Sequence, residues 1–199
     1  MSLLLETIRI NQGKPDNLDA HEERINHSQL ALEGVRMLAT LEEIFDETPP
    51  PAIGLYKARI IYNKDLYKIG YQRYKKPLIK KLQVCQVESI YYPYKFANRC
   101  KLDCLKQKLP HQTEALIVVG ERITDTTFTN LAFWNGKKWL SPKYPLLYGT
   151  RLASLIDQGL IELHDIILSQ LMDFKKVRLF NSMMPWNEAI ELPIDQVIT

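Results

Sequence analysis

The chain has 199 residues, 46% of them hydrophobic and 25% charged, which excludes a mainly disordered chain and allows one large domain or two small ones. The longest strictly apolar run, Ala115 to Val119, is too short to cross a membrane, and a net charge of +3 argues against a nucleic-acid partner. The N-terminus has no secretory pattern and the three cysteines fit a reducing compartment, so we expect a cytoplasmic protein without a metal site.

The first half of the chain is predicted to form an α+β unit. Its predicted elements, in chain order, are a strand at 3–10, a turn at 11–17, a helix at 18–45, and strands at 57–62, 66–74 and 82–92. Gly34 is a point where the helical pattern can be interrupted. The three prolines at 49–51 must form a non-helical break.

The second half alternates strands and helices, which is typical of an α/β unit. Its predicted elements are helices at 98–108, 150–158 and 164–173 and strands at 114–119, 128–134, 138–140 and 177–180. We therefore predict a small N-terminal α+β domain at 1–83, a linker at 84–94 and a larger C-terminal domain at 95–199.

Two segments contain side chains that are candidates for catalysis or ligand binding. Lys95 lies among aromatic residues, whose packing favours partial burial and a lowered lysine pKa, although most lysines are solvated surface charges. The segment 123–130 has one acid, Asp125, followed by three threonines. A turn capped by its own hydroxyls explains this segment better than a ligand-binding loop does, when it is taken alone.

Two helix starts are candidate anion sites. Tyr148-Gly-Thr-Arg151 opens a helix, where free N–H groups and the positive helix end favour an anion, as at any helix start. On the first helix, His21, Arg24 and Ser28 share one face. That face is either solvated or carries an arginine aimed at a phosphate.

Taken in order, these segments resemble the fold-type IV pyridoxal-phosphate enzymes. This family comprises the class IV aminotransferases, including D-amino-acid and branched-chain aminotransferases, and aminodeoxychorismate lyase. The resemblance extends from Leu5 to about Pro193. The similar segments are Leu5-Glu-Thr-Ile-Arg9, His21-Glu-Glu-Arg24 with Ser28, Tyr94-Lys-Phe-Ala-Asn-Arg99, Glu114-Ala-Leu-Ile-Val118 with 123–130, Leu147-Tyr-Gly-Thr-Arg151, and Asn181-Ser-Met-Met-Pro185.

The resemblance implies a two-domain D-amino-acid aminotransferase-like fold with a barrel-like C-terminal domain, pyridoxal 5'-phosphate between the domains, and a homodimer. It implies that Lys95 carries the cofactor and moves the substrate Cα proton, and that Asp125 faces the pyridine nitrogen. The cofactor-binding residues that it implies are Arg24, Lys95, Asp125, Thr126, Thr127, Thr150, Ser182 and Met183. The candidate substrate-binding residues are Arg99, Tyr92 and Tyr94.

The implied substrate is a small amino-acid-like molecule, with neither a membrane nor a nucleic acid as partner. The reaction is either transamination or an elimination of the 4-amino-4-deoxychorismate lyase type. The Asn-Arg after Lys95 and the segment 181–185 favour the elimination.

Two departures from the family pattern favour an alternative. Asp125 stands where the family usually has Glu, and the usual N-terminal segment is absent. The alternative is a shortened member that binds the cofactor without turnover.

Overall fold

The structure, a computed structural model, describes residues 3–37 and 39–198 and has a mixed α+β fold. The helices are α1 (Leu18–Glu33), α2 (Leu41–Glu47), α3 (Cys100–Gln107) and α4 (Thr150–Asp157), with 3-10 helices at Leu168–Asp173, Trp186–Glu188 and Ile194–Gln196. The strands are β1 (Leu4–Asn11), β2 (Lys14–Pro15), β3 (Leu55–Tyr62), β4 (Tyr67–Arg73), β5 (Lys81–Val87), β6 (Thr113–Val119), β7 (Arg122–Ile123), β8 (Asn130–Trp134), β9 (Trp139–Pro142), β10 (Glu162–His164), β11 (Lys176–Phe180), β12 (Ile190–Pro193) and β13 (Val197–Ile198). None of the helices described is long and apolar enough to span a membrane.

The chain divides into two compact units, and the first contains residues up to Lys76 together with Tyr94–Asn98. Its sheet has the strand order β2-β1-β3-β4, with β1 antiparallel to β3. Alternate residues of β1 face the core, where Ile8 and Ile10 pack with Ile25 of α1 and Ile44 of α2. The predicted strand, helix and hairpin order of this unit is therefore confirmed.

Backbone pairing assigns the segment around Lys95 to this first unit. The Leu5 N–H donates to the Lys95 carbonyl at 2.8 Å, and the Ala97 N–H donates to the Leu3 carbonyl at 2.8 Å. The segment thus lies beside the start of β1 and pairs with it antiparallel, like a short strand. The prediction that Lys95 lies in the C-terminal domain is therefore wrong. A pairing between residues so far apart in the chain leaves no signal in local sequence patterns.

The second unit contains Pro77–Pro93 and residues from Arg99 onwards. One sheet has the order β13-β5-β6-β7 and the other has the order β10-β9-β8-β11-β12. β5 pairs in parallel with the buried β6 over its whole length. The predicted linker at 84–94 therefore begins inside a sheet strand and includes the last four residues of β5. Pairing with β6 explains why that part of the segment contains apolar residues.

The predicted helix at 18–45 is two helices. α1 ends at Gly34, which has φ of 70° and donates its N–H to the Leu30 carbonyl. α2 then starts at a capping box, in which Thr40 and Glu43 each bond the other's backbone N–H. A left-handed glycine followed by a new N-terminal cap explains why continuous helical spacing did not give a continuous helix.

The predicted helix at 164–173 is wrong in its first half. β10 pairs in parallel with β9, and the Ile166 carbonyl accepts the Ile123 N–H at 2.9 Å. These pairings keep the backbone extended, and only Leu168–Asp173 forms a 3-10 helix. Apolar spacing in this segment reflects contacts with two different strands rather than one helix face.

We expect Gly34→Ala to lower the free energy of unfolding by about 1 kcal/mol, since a side chain is strained in the left-handed region. Urea unfolding followed by circular dichroism measures this change. The matched control is Gly70→Ala in β4, at an ordinary φ with open space around it, which should leave the free energy of unfolding unchanged or raise it by up to about 1 kcal/mol. Equal effects at the two sites would contradict the assignment of Gly34 as the helix terminator.

Candidate functional site

In the first unit, a buried carboxylate holds an arginine in a fixed orientation. Glu6 lies on β1 and is fully buried. Arg24 of α1 donates from Nε to Glu6 Oε1 at 2.8 Å and from Nη2 to Oε2 at 2.5 Å. His21, one turn earlier, contacts Oε2 through Nδ1 at 2.7 Å. This two-point contact fixes the plane of the Arg24 guanidinium.

The charges in this cluster are balanced. Burial alone would raise the pKa of Glu6, but Arg24 and His21 outweigh burial and hold that pKa below its usual value. Burial is the largest effect on the pKa of His21 and, together with the positive charges of Arg24 and Lys95, it lowers that pKa despite Glu6. The imidazole is therefore neutral at neutral pH, and its Nδ1 donates to the carboxylate. The cluster therefore keeps one carboxylate and one guanidinium charged together.

Lys95 lies in the same unit as Arg24. Its backbone carbonyl accepts the N–H of Leu5, which precedes Glu6, and its positive charge helps to lower the pKa of His21. The neighbouring Tyr94 ring packs edge-on against Phe96, with ring centroids 6.0 Å apart. Two predicted residues, Arg24 and Lys95, are thus gathered with a carboxylate that was not predicted.

In the second unit, Asp125 is a buried acid with hydrogen bonds on both oxygens. It follows β7 and is 4% exposed. Its Oδ1 accepts from Asn130 Nδ2 at 2.8 Å, and its Oδ2 accepts from the Leu147 N–H at 3.0 Å. These contacts orient the carboxyl group without neutralising it.

Burial raises the pKa of Asp125 to about 7, and the hydrogen bonds from Leu147 and Asn130 offset only part of this effect. Within the described residues, Asp125 forms no ion pair. A buried acid without a cation is unfavourable for folding and is typical of functional sites. A cation placed beside it would restore ionisation at neutral pH.

The threonines after Asp125 have structural partners. Thr126 Oγ1 contacts Thr129 Oγ1 at 2.7 Å and accepts the Thr129 N–H at 2.9 Å. Thr127 Oγ1 donates to the buried Glu114 carboxylate at 2.6 Å. Their hydroxyls therefore stabilise the loop that carries Asp125, as the capped-turn interpretation expects.

Two of the predicted substrate-binding residues, Arg99 and Tyr92, lie in the second unit and pack into its structure. Arg99 donates from Nη2 to the Thr127 carbonyl at 2.7 Å and lies 3.8 Å from the Asp103 carboxylate. Tyr92 is 8% exposed. Arg99 thus supports the same loop as Glu114 does, which the sequence had not suggested.

The start of α4 has the features of an anion site. Thr150 is buried, the N-cap residue Gly149 has no side chain with which to cap the helix, and the first turn contains no acidic residue. The first backbone N–H groups of an α-helix have no acceptor within the helix and carry partial positive charge. This helix start can therefore bind a phosphate through backbone groups.

In the segment 181–185, where the family resemblance implies phosphate contacts from Ser182 and the Met183 amide, Asn181 organises the backbone. Its Oδ1 accepts the Met183 N–H at 2.9 Å and the Met184 N–H at 3.1 Å, and its Nδ2 donates to the Phe128 carbonyl. The Met183 amide, predicted to bind phosphate, thus already has an acceptor within its turn. Ser182 lies in that same turn and is half-buried.

Sequence reasoning missed the roles of Glu6 and Asn130. Glu6 has a readable signal, because it shares a strand face with Leu4, Ile8 and Ile10, and a charge on an apolar face needs a partner. Asn130 begins a buried strand, and nothing in its neighbours indicates that its amide contacts Asp125.

Comparisons with known proteins cover nearly the whole chain, although no family model matches it. A solved structure of a candidate 4-amino-4-deoxychorismate lyase from Haemophilus somnus is 30% identical, with a TM-score of 0.83 and coverage of 92% of this chain and 97% of that one. An uncharacterized protein of Haemophilus influenzae is 28% identical over 183 residues, which are 90% of this chain and 97% of the relative. A hypothetical aminotransferase from Mycobacterium tuberculosis, in its pyridoxal-phosphate-bound form, is 12% identical with a TM-score of 0.73 over 96% of this chain and 80% of its own, and shares the fold.

Glu6→Gln should lower the free energy of unfolding by about 3 kcal/mol, because Arg24 would keep its place without a counter-charge. Urea unfolding gives the value. Glu23→Gln, at an exposed position of α1 next to Arg24, is the control and should change the free energy of unfolding by less than about 0.5 kcal/mol. A loss at Glu6 as small as that of the control would show that the buried pair does not hold this unit together.

Asp125→Asn should reduce the pH dependence of stability in the cofactor-free protein. The pKa of Asp125 is raised by folding, so its contribution is complete below the unfolded value near 3.8 and is lost as the pH rises through about 7. Between pH 5 and pH 8 the wild type should lose about 2 kcal/mol that Asp125→Asn does not lose. Unfolding by urea at both pH values checks this, with Asp173→Asn as the exposed control. An unchanged pH slope in Asp125→Asn would contradict the raised pKa.

Proposed function

Because this chain belongs to the class IV family of pyridoxal-phosphate enzymes, we propose that it is a pyridoxal-phosphate-dependent enzyme acting on an amino-acid-type substrate. The observation that carries the proposal is the buried Asp125 carboxylate, oriented by two hydrogen bonds and lacking an ion pair among the described residues. Such a group suits a cationic nitrogen of a bound cofactor.

The residues of the chain fit the three polar groups of this cofactor. Asp125 accepts hydrogen bonds from Asn130, Leu147 and the Leu146 backbone, and because its two oxygens offer about four lone-pair sites, it can still accept from a protonated ring nitrogen. The start of α4 at Thr150, whose N-cap is a glycine, and the guanidinium N–H groups of Arg24 that do not face Glu6 suit phosphate oxygens. The amine of Lys95 suits the aldehyde carbon.

Each residue then has a defined task. Bound pyridoxal phosphate would supply an electron sink for the electron pair left at the substrate Cα. Lys95 would remove the proton from Cα, and in the elimination it would deliver a proton to the departing enol, which becomes pyruvate. Asp125, ionised beside a cation, would keep the ring nitrogen protonated, and Glu6 would hold the Arg24 guanidinium in the plane in which it meets phosphate.

Within this family we propose elimination of the 4-amino-4-deoxychorismate lyase type, in which loss of the proton from the amine-bearing ring carbon expels the neighbouring enolpyruvyl ether, released as pyruvate, and leaves an aromatic amine. Support comes from the 30% identical relative, which is a candidate lyase of that kind. Transamination begins with the same proton removal by Lys95 and differs in where the proton goes next. Pyruvate release from 4-amino-4-deoxychorismate, measured against 2-oxo acid formation from D- and L-amino acids, distinguishes the two reactions.

Lys95 is the residue whose loss should abolish covalent cofactor binding. We expect protein incubated with pyridoxal phosphate and reduced with borohydride to carry one adduct, which peptide mass mapping assigns to Lys95. Lys95→Ala should give no specific adduct and should lower turnover by about 1,000-fold or more. Lys101→Ala, at an exposed lysine of α3, is the control and should retain both.

Two results would contradict the proposal. One is a wild-type protein that stays colourless with pyridoxal phosphate and gives no reduced adduct. The other is an adduct that Lys95→Ala retains at full yield. A Lys95 adduct without turnover on either substrate class would leave cofactor binding in place and remove the proposed reaction.

A further inference from the structure

One buried carboxamide, that of Asn130, contacts both the acid Asp125 and the loop that leads into α4. Asn130 begins β8 and is 6% exposed. Its Nδ2 donates one hydrogen bond to Asp125 Oδ1 at 2.8 Å and the other to the Leu147 carbonyl at 2.9 Å. Both N–H bonds of the amide are therefore used, which fixes the side chain about its last torsion.

Leu147 closes this arrangement into a ring. Its N–H donates to Asp125 Oδ2 at 3.0 Å, while its carbonyl accepts from Asn130. The acid, the carboxamide and one peptide unit are thus bonded to each other in a cycle. No member can move without breaking a bond to another, so Asp125 and the backbone at Leu147 keep a fixed relation.

The same carboxamide also lies against the start of α4. Gly149 precedes Thr150, and a Cβ at position 149 would overlap Asn130 Oδ1. The φ of Gly149 is −73°, a value that any residue adopts, so space rather than backbone conformation requires glycine here. Asn130 Oδ1 therefore occupies the volume of the missing side chain beside the helix start.

We infer that Asn130 is a positioning residue that fixes the spacing between the acid Asp125 and the start of α4. The inference rests on the proposed function, in which Asp125 meets the ring nitrogen and the helix start meets the phosphate. Asn130 acts through these two elements, and Gly149 provides the space that lets its side chain touch both.

Two substitutions disturb this contact from opposite sides. Asn130→Asp keeps the shape but places a second carboxyl oxygen against Asp125 Oδ1, so that the two acids compete for one proton. Gly149→Ala keeps every polar group and pushes the carboxamide away through a methyl group. If Asn130 couples the two elements, both changes should alter the titration of Asp125 and the binding of phosphate.

The test combines two measurements on folded protein. The first is the titration of the Asp125 Cγ resonance by carbon-13 NMR without cofactor. The second is the affinity for pyridoxal 5'-phosphate, pyridoxal and inorganic phosphate by calorimetry. We expect Asn130→Asp and Gly149→Ala to shift the Asp125 midpoint upward and to weaken pyridoxal 5'-phosphate binding about tenfold, as loss of one hydrogen bond to a charged group does.

Matched controls separate this effect from general destabilisation. Asn135→Asp changes an exposed turn asparagine whose Oδ1 accepts the Lys137 and Lys138 N–H groups, and Gly70→Ala adds a methyl group in open space. Both should leave the Asp125 midpoint and the affinities unchanged. If Asn130→Asp does not fold, Gly149→Ala decides, because it leaves all polar side chains in place.

The outcomes distinguish this inference from the proposed function. An unshifted Asp125 midpoint with cofactor affinity within twofold of wild type, in a folded variant, would overturn the role of Asn130. A wild-type protein that binds no pyridoxal phosphate would overturn the proposed function, yet the Asp125 titration would still report whether Asn130 and Gly149 are coupled to the acid. Weaker pyridoxal phosphate binding with unchanged pyridoxal binding would limit the effect to the phosphate side and overturn the link to the acid.

Discussion

The burial of Asp125, which forms no ion pair with any residue that the structure describes, is the constraint on which the second unit depends. A charged carboxyl in an apolar interior is unfavourable unless hydrogen bonds surround it. The unit meets this demand with the Leu147 amide and the Asn130 carboxamide, and it gives the carboxamide room by having glycine at 149. The same contacts tie the loop before α4 to Asp125 through Leu147 and Gly149, so the environment of one acid is linked to the start of a helix.

The first unit solves the same physical problem in the opposite way. Glu6 is buried as completely as Asp125, but Arg24 and His21 bond both of its oxygens, so its charge is balanced within the unit. The negative charge of Glu6 is thus neutralised by a side chain of its own unit, whereas Asp125 has hydrogen bonds but no counter-charge among the described residues. This contrast is the reason why Asp125, and not Glu6, is the carboxylate that we propose to meet a cationic ligand.

Local patterns predicted most of the strands and helices, because alternation and helical spacing record which face is buried. They failed where long-range pairing decides the outcome. The segment at 164–167 is extended by contacts with β7 and β9, and Lys95 joins the first unit through Leu5. Lys95, Arg24 and Asp125 were selected by the order of family-like motifs, and their roles remain predictions. Asn130 was missed because its partners are Asp125 and Leu147, the second distant in the chain.

The pairing of Tyr94–Asn98 with the start of β1 makes the first unit discontinuous in the chain. During synthesis, the edge of β1 near Leu5 emerges from the ribosome long before Lys95, its backbone partner. That edge stays open while β3 and β4 complete the rest of the sheet. The segment that positions Lys95 is therefore among the last parts of this unit to be secured, and any truncation ending at Lys76 would leave the edge of β1 permanently unpaired.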